Sequence, residues 1–135
     1  ITALEETTKY CVKNKIPFLN VGYLNDISVI GPFYVPRISS CPYCNNTLSL
    51  EKHEKDSMQN ELLNINNKYE APSSFTNNAL ASSLAMSDII QFEAEKLDKV
   101  KSLNKRFGID NVTFKNYTLE VPKDKDCSFC SEENK

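Results

Sequence analysis

Apolar positions at the start of the chain recur at helical spacing. Ile1, Leu4 and Cys11 are separated by charged and polar side chains, which predicts a helix over Ile1–Lys15. Pro17 cannot continue a helix and ends it. The pattern then changes to short apolar runs. Pro17–Tyr23 reads as a buried strand, Leu24-Asn25-Asp26 has turn chemistry, and Ile27–Val35 is again β-rich. Gly31-Pro32 interrupts that second run, so a bulge or an edge is expected there.

From Asn45 to Ser74 polar residues dominate. Glu51-Lys52-His53-Glu54-Lys55-Asp56 reads as a solvated charge run, and Leu62, Leu63 and Ile65 support one short helix within a stretch expected to be mobile. The longest helical pattern runs from Thr76 to about Lys101, with Ser74 or Thr76 as N-cap. Its small residues Ala79, Ala81, Ser82, Ser83, Ala85 and Ser87 permit close approach to a sheet, and Leu80, Leu84, Ile89 and Ile90 supply apolar contact. Two strands follow, near Phe107–Ile109 and Val112–Leu119. Val112 and Phe114 alternate in one phase and Tyr117, Leu119 and Val121 in the other, so one extra residue near Asn116 is expected as a bulge. Pro122–Asp126 is a solvated turn. There are no internal repeats and no second domain.

The 135 residues suffice for one modest core, and the net charge of −2 gives no electrostatic footprint for nucleic acid or an anionic membrane. No apolar run approaches the roughly 20 residues that cross a bilayer, and no signal-peptide pattern opens the chain. The chain does not begin with Met and opens inside a helical pattern. It is therefore expected to be a fragment of a cytoplasmic protein.

Five cysteines change the picture most. Cys41-Pro42-Tyr43-Cys44 and Cys127-Ser128-Phe129-Cys130 are two C-x-x-C knuckles. Each presents two sulfurs at a tight turn, and two such knuckles complete the tetrahedral four-sulfur shell that zinc favours. Disulfides or free thiols are the alternatives. A saturated shell leaves no open coordination position, so a zinc ion there is structural and anchors the C-terminal tail. Cys11 reads as a small core residue, and His53, the only histidine, as exposed. With glycine only at 22, 31 and 108, the chain holds no glycine-rich phosphate loop, and H-E-x-x-H is also absent.

Several segments together resemble a known family. They are Lys9-Tyr10-Cys11-Val12, Ile16 through Ile27, Gly31-Pro32-Phe33-Tyr34-Val35-Pro36 and Cys41-x-x-Cys44. To these are added Asp88-Ile89-Ile90-Gln91-Phe92, Ser102-Leu103-Asn104-Lys105-Arg106 with Gly108-Ile109, and Cys127-Ser128-Phe129-Cys130. The chain is similar to the second half of an E1-like (ThiF/MoeB/HesA) adenylating domain, in particular its microcin-maturation branch. The resemblance implies an α/β fold of Rossmann type with a mixed sheet and a four-cysteine zinc site. Residues 1–135 form its C-terminal portion and 45–75 the crossover loop over the substrate. The glycine-rich half and a magnesium-coordinating aspartate are then expected before residue 1. It also implies a homodimer and ATP-driven activation of a C-terminal carboxylate. In this branch the substrate is a short ribosomal peptide ending in Asn, joined to AMP through a phosphoramidate after a succinimide. Where the family often has glycine after Pro36, this chain has Arg37.

Such chemistry needs donors around a carboxylate and developing phosphate charge. Arg106 can grip a carboxylate bidentately. Asn20, Tyr23, Asn25 and Asp26 are expected just past a strand end, where α/β sheets bind ligands, and Asn78 opens the long helix. Each also has a plain reading: Asn25-Asp26 as a turn, Tyr23 as core, Arg106 as a surface ion pair. Two rivals to an enzyme stand beside it. One is a non-catalytic E1-like module that recognises a peptide for a partner enzyme, the other a zinc-stabilised interaction domain.

Overall fold

The computed structural model describes residues 2–46 and 75–131. The 45–75 stretch, expected as a crossover loop, therefore lies outside the described residues except at its two ends. The charge run with His53, the helix at Leu62–Ile65, the Ser74 cap and Ile1 lie wholly outside them.

Helix α1 spans Ala3–Asn14. Thr2 caps it by accepting the Glu5 N–H at 3.1 Å. The stop comes before Pro17. Lys15 takes the left-handed conformation at φ 56°, and the Lys15 and Ile16 N–H groups close back on the carbonyls of Val12 and Cys11. Strands β1 (Phe18–Leu24) and β2 (Ile27–Tyr34) follow as an antiparallel hairpin whose two-residue loop is Asn25-Asp26. Asn25 has φ 56°, a conformation asparagine tolerates well.

The bulge forms where the sequence places it. Leu19 pairs with Phe33 but Val21 pairs with Ile30, so β2 carries one residue more than β1 around Gly31-Pro32. Gly31 has φ 96°, and a Cβ there would lie 2.2 Å from the Lys105 carbonyl oxygen. Only glycine fits.

Helix α2 spans Phe75–Glu93, shorter than the expected run to Lys101. Glu95, at φ 60°, ends it with another backward closure, Lys96 N–H to the Gln91 carbonyl at 2.9 Å. The helix lies on the sheet face that carries Phe33. Its buried stripe is Asn77, Ala81, Ala85 and Asp88, so of the small residues Ala81 and Ala85 allow close approach, while Ala79, Ser82 and Ser83 are exposed. Phe33, Val35 and Val100 pack there with Leu19, Ile89, Phe92 and Leu103, and the Phe33 and Phe92 rings meet at 5.2 Å. Ile90, expected in this contact, is 58% exposed; it lies off the stripe. Asp88 receives hydrogen bonds from Lys101 N–H, Ser102 N–H and Ser102 Oγ, and the Ser102 carbonyl accepts from Phe33 N–H at 2.9 Å. A buried carboxylate thereby steers the chain back to the sheet.

Strands β3 (Lys105–Asp110) and β4 (Asn116–Glu120) complete the order β1-β2-β3-β4. All three pairings are antiparallel. The expected mixed sheet is thus represented here by four antiparallel strands, as the tight loops joining β1 to β2 and β3 to β4 require. Val112–Phe114 is a turn, where a bulged strand was expected. The Asp110 carboxylate accepts the Val112 and Thr113 N–H groups, and Phe114 is left-handed at φ 61°. The phase shift in the apolar pattern therefore reflects a hairpin loop.

Replacing Asp88 by Ala removes three hydrogen bonds from a buried site and is expected to cost about 3 kcal/mol, whereas Ile90→Ala changes stability by under about 0.5 kcal/mol. Urea unfolding of the two variants measures both.

Candidate functional site

Beyond β2 the chain turns tightly. The Ile38 and Ser39 N–H groups both donate to the Val35 carbonyl. Ser39 Oγ accepts from Val35 N–H at 2.7 Å and donates to the Phe33 carbonyl at 2.6 Å. Arg37 sits in this turn at φ 67°, the left-handed region where glycine is at ease. The turn delivers Cys41 and Cys44 as the first knuckle. The second is set by Cys127 N–H donating to the Asp124 carbonyl at 3.2 Å and Ser131 N–H to the Cys127 carbonyl at 3.0 Å. Asn104 ties the two arms together. Its side-chain oxygen accepts from Ser40 N–H at 2.8 Å and its carbonyl accepts from Val121 N–H at 2.8 Å.

The four sulfurs of Cys41, Cys44, Cys127 and Cys130 all lie within 4.8 Å of one another. Cys41 is 3.9 Å from Cys44 and 3.5 Å from Cys127, and Cys44 is 3.5 Å from Cys130. A tetrahedral metal–thiolate shell with bonds of about 2.3 Å spaces its sulfurs about 3.8 Å apart, so the donor set fits such a cation. A disulfide needs about 2.05 Å, and all four cysteines are free and buried. Taken as thiols alone, the four share protons. The contact with Cys127 holds Cys41 and Cys130 well above the usual thiol range, while the contact with Cys130 holds Cys127 well below it. Cys44, pushed up by Cys127 and pulled down by Cys130 and Cys41, comes to about 7. Tyr34 and Val121 are buried against the sulfurs, with Val12 of α1, Phe18, Tyr43 and Phe129 around them. The cluster can hold a metal ion at the Phe18–Tyr34 end of the sheet. Cys11 is buried in α1, as expected, and burial pushes its thiol up.

The other candidate residues fall into two groups. Arg106, half-buried in β3, donates from its guanidinium to the Gly31 carbonyl at 2.6 Å. Asn20 falls at the bulge opposite Gly31-Pro32, and the β2–β3 register, continued one residue past Ile30–Phe107, brings Gly31 opposite Arg106. The second group surrounds the hairpin tip. Asn77 Nδ2 donates to the Asn25 carbonyl at 2.9 Å, and Asn111 Nδ2 donates to the Asp26 carbonyl, Ser28 Oγ and Asn77 Oδ1 at 2.8–2.9 Å. Asn78 is exposed beside them on α2, and Tyr23 is exposed on β1. Tyr23 is thus not core. Asn20 and Tyr23 lie inside β1, and only Asn25 and Asp26 lie past its end, because the strand runs on to Leu24. Three residues of strand, about 10 Å, separate Asn20 from Tyr23.

Sequence reasoning missed Asn77, Asn104, Asn111 and Lys123. Each is a polar residue whose partner is more than 30 residues away or across a loop, and no spacing pattern marks it. Among the described residues no helix is long and apolar enough to cross a membrane.

No protein-family model and no curated protein matches the chain. Solved structures do. E. coli MccB with ATP shares 31% identity at a TM-score of 0.72, over 96% of this chain and 36% of that one. The microcin C7 biosynthetic enzyme MccB in complex with N-formylated MccA shares 30% at 0.71, over 95% of this chain and 37% of that one. The heterocyclase TruD, at 16% identity and a TM-score of 0.67 over 94% of this chain and 20% of that one, shares the fold. The chain spans about a third of the length of MccB. Across that third the E1-like resemblance carried by its motifs and the fold of its sheet agree, and the chain resembles MccB in both.

Proposed function

We propose that this chain is part of an ATP-dependent adenylyltransferase that activates the C-terminal carboxylate, that of an Asn, of a short ribosomal peptide in microcin-type antibiotic biosynthesis. The observation that carries the reading is the match of sequence and fold over nearly the whole chain to an enzyme solved with ATP and with MccA. The glycine-rich nucleotide-binding half and the aspartate for Mg²⁺ are proposed to precede residue 1, and 45–75 to cross over the substrate. The full protein is proposed to be a cytoplasmic homodimer.

Within this chain the proposed roles follow from charge and placement. Arg106 is oriented by its bond to Gly31 and contacts the peptide carboxylate, with Asn20 at the same bulge. Tyr23, Asn25, Asp26 and Asn78 line the peptide at the hairpin end. The ion proposed for the four cysteines is zinc, whose chemistry suits four thiolates in tetrahedral array. Its role is structural, because four protein ligands leave no position for substrate.

The full-length protein is expected to catalyse ATP–pyrophosphate exchange only when supplied with an Asn-ending peptide encoded beside its gene. Peptide binding without exchange would favour the non-catalytic recognition module, and neither binding nor exchange would sink both. Arg106→Ala is expected to lower kcat/KM for exchange about 100-fold, and Arg106→Lys to recover little, since an ammonium cannot make the paired contact. Circular dichroism of both variants checks that the sheet survives loss of the Gly31 bond.

Metal analysis of the purified protein is expected to give about one zinc per chain. Cys127→Ser is expected to lose the metal and about 3 kcal/mol or more of stability, and chelator treatment of the parent protein to produce a similar fall in unfolding temperature. Intact stability after complete metal removal would contradict the structural role.

A further inference from the structure

Lys123 lies on the segment that leads from β4 to the second knuckle, and it is half-buried. Its ammonium donates to the Ser39 carbonyl at 3.3 Å and approaches Cys130 Sγ to 3.9 Å. The two partners belong to opposite arms of the cluster, since Ser39 precedes the first knuckle and Cys130 closes the second. Other contacts already hold the arms together. Asn45 donates its side-chain amide to the Pro122 carbonyl, and the Tyr43 and Phe129 rings stack at 4.1 Å and 18°. Position alone is therefore secured without Lys123, and a charge against a sulfur needs its own account.

That account lies in the charge of the centre. Four thiolates around a divalent cation leave two negative charges uncompensated, in a site where the sulfurs are buried. Buried charge is costly unless paired or hydrogen-bonded. An ammonium aimed at one thiolate halves the excess. It also withdraws electron density from that sulfur, which lowers its reactivity toward electrophiles and its tendency to leave the metal.

We propose that Lys123 is the charge-compensating partner of a metal–tetrathiolate centre, shielding Cys130 and slowing metal loss. This rests on the metal reading of the cluster, and it assigns to one residue the kinetic permanence of the site. Lys123→Met keeps an unbranched side chain one atom shorter and removes its charge, whereas Lys123→Arg keeps the charge.

The test uses the full-length protein as purified with zinc. Two readouts are needed: the rate of zinc transfer to an excess of a chromogenic chelator, and the order in which the cysteines are alkylated, by mass spectrometry. Lys123→Met is expected to release zinc about tenfold faster or more, with Cys130 the first of the four to be alkylated. Lys123→Arg is expected to stay close to the parent protein in both. Release from Lys123→Met at the parent rate would overturn the proposal. Faster release from both variants, with the four cysteines alkylated together, would also overturn it by showing a packing role. A parent protein that carries no zinc would remove the metal reading itself, and the role of Lys123 with it, before any variant is compared.

Discussion

One end of this protein depends on bringing together four sulfurs that the chain separates by 86 residues. Among the described residues, the fully buried cluster around them contains, besides the cysteines, only Tyr34 and Val121, with Val12, Phe18, Tyr43 and Phe129 partly buried against it. Two large apolar side chains are a small core, and burying them gives a few kcal/mol at most. The sulfurs therefore act as the filling of that core. The surrounding backbone bends to serve them. Arg37, Asn45 and Asn104 all adopt left-handed conformations around the knuckles, and none is glycine. Strain of this kind persists where neighbouring contacts over-determine it, and Asn104 shows how: its side chain and its carbonyl each hold one arm.

The bulge in β2 links that end to the rest. Before it, Ile27–Ile30 pair with β1 and β3; after it, Phe33 faces α2 while Tyr34 faces the sulfurs. Phe33 and Tyr34 are successive strand residues and point to opposite faces, so a single strand serves two separate cores. Gly31 permits the bulge because its Cα sits against the Lys105 carbonyl where a side chain would clash. The sheet is thus packed against the buried sulfur cluster at one end and against Lys105 at the middle, while the hairpin tip is held by amides.

Much of this was legible in the sequence because the signals are local. Gly31-Pro32 marked the bulge and Asn25-Asp26 the turn through adjacent residues, and each half of the sulfur cluster was marked by cysteines three positions apart, the two halves being matched by their repeated spacing. Helix ends were less legible. Both helices stop at Lys15 and Glu95 in the conformation glycine usually supplies, so the expected marker is missing and α2 reads as longer than it is. The loop at Val112–Phe114 was misread for a related reason: its apolar residues continue a strand pattern, and only the Asp110 carboxylate turns the backbone out of it. The network of Asn77, Asn111 and Ser28 was illegible because it is defined only after the sheet and α2 have met.

The placement of Arg106 shows how these constraints meet at one side chain. An arginine on a flat antiparallel strand would have its neighbours' carbonyls committed to the ladder. At the bulge the ladder is interrupted, and the Gly31 carbonyl is left to accept from the guanidinium. The same missing side chain at Gly31 that allows β2 to approach Lys105 also leaves the position between Asn20 and Arg106 without a Cβ. A cation held by one firm bond on a stiff strand loses less freedom on gripping a ligand than one on a mobile loop. The bulge that brings Gly31 against Lys105 is therefore also the feature that orients the Arg106 guanidinium.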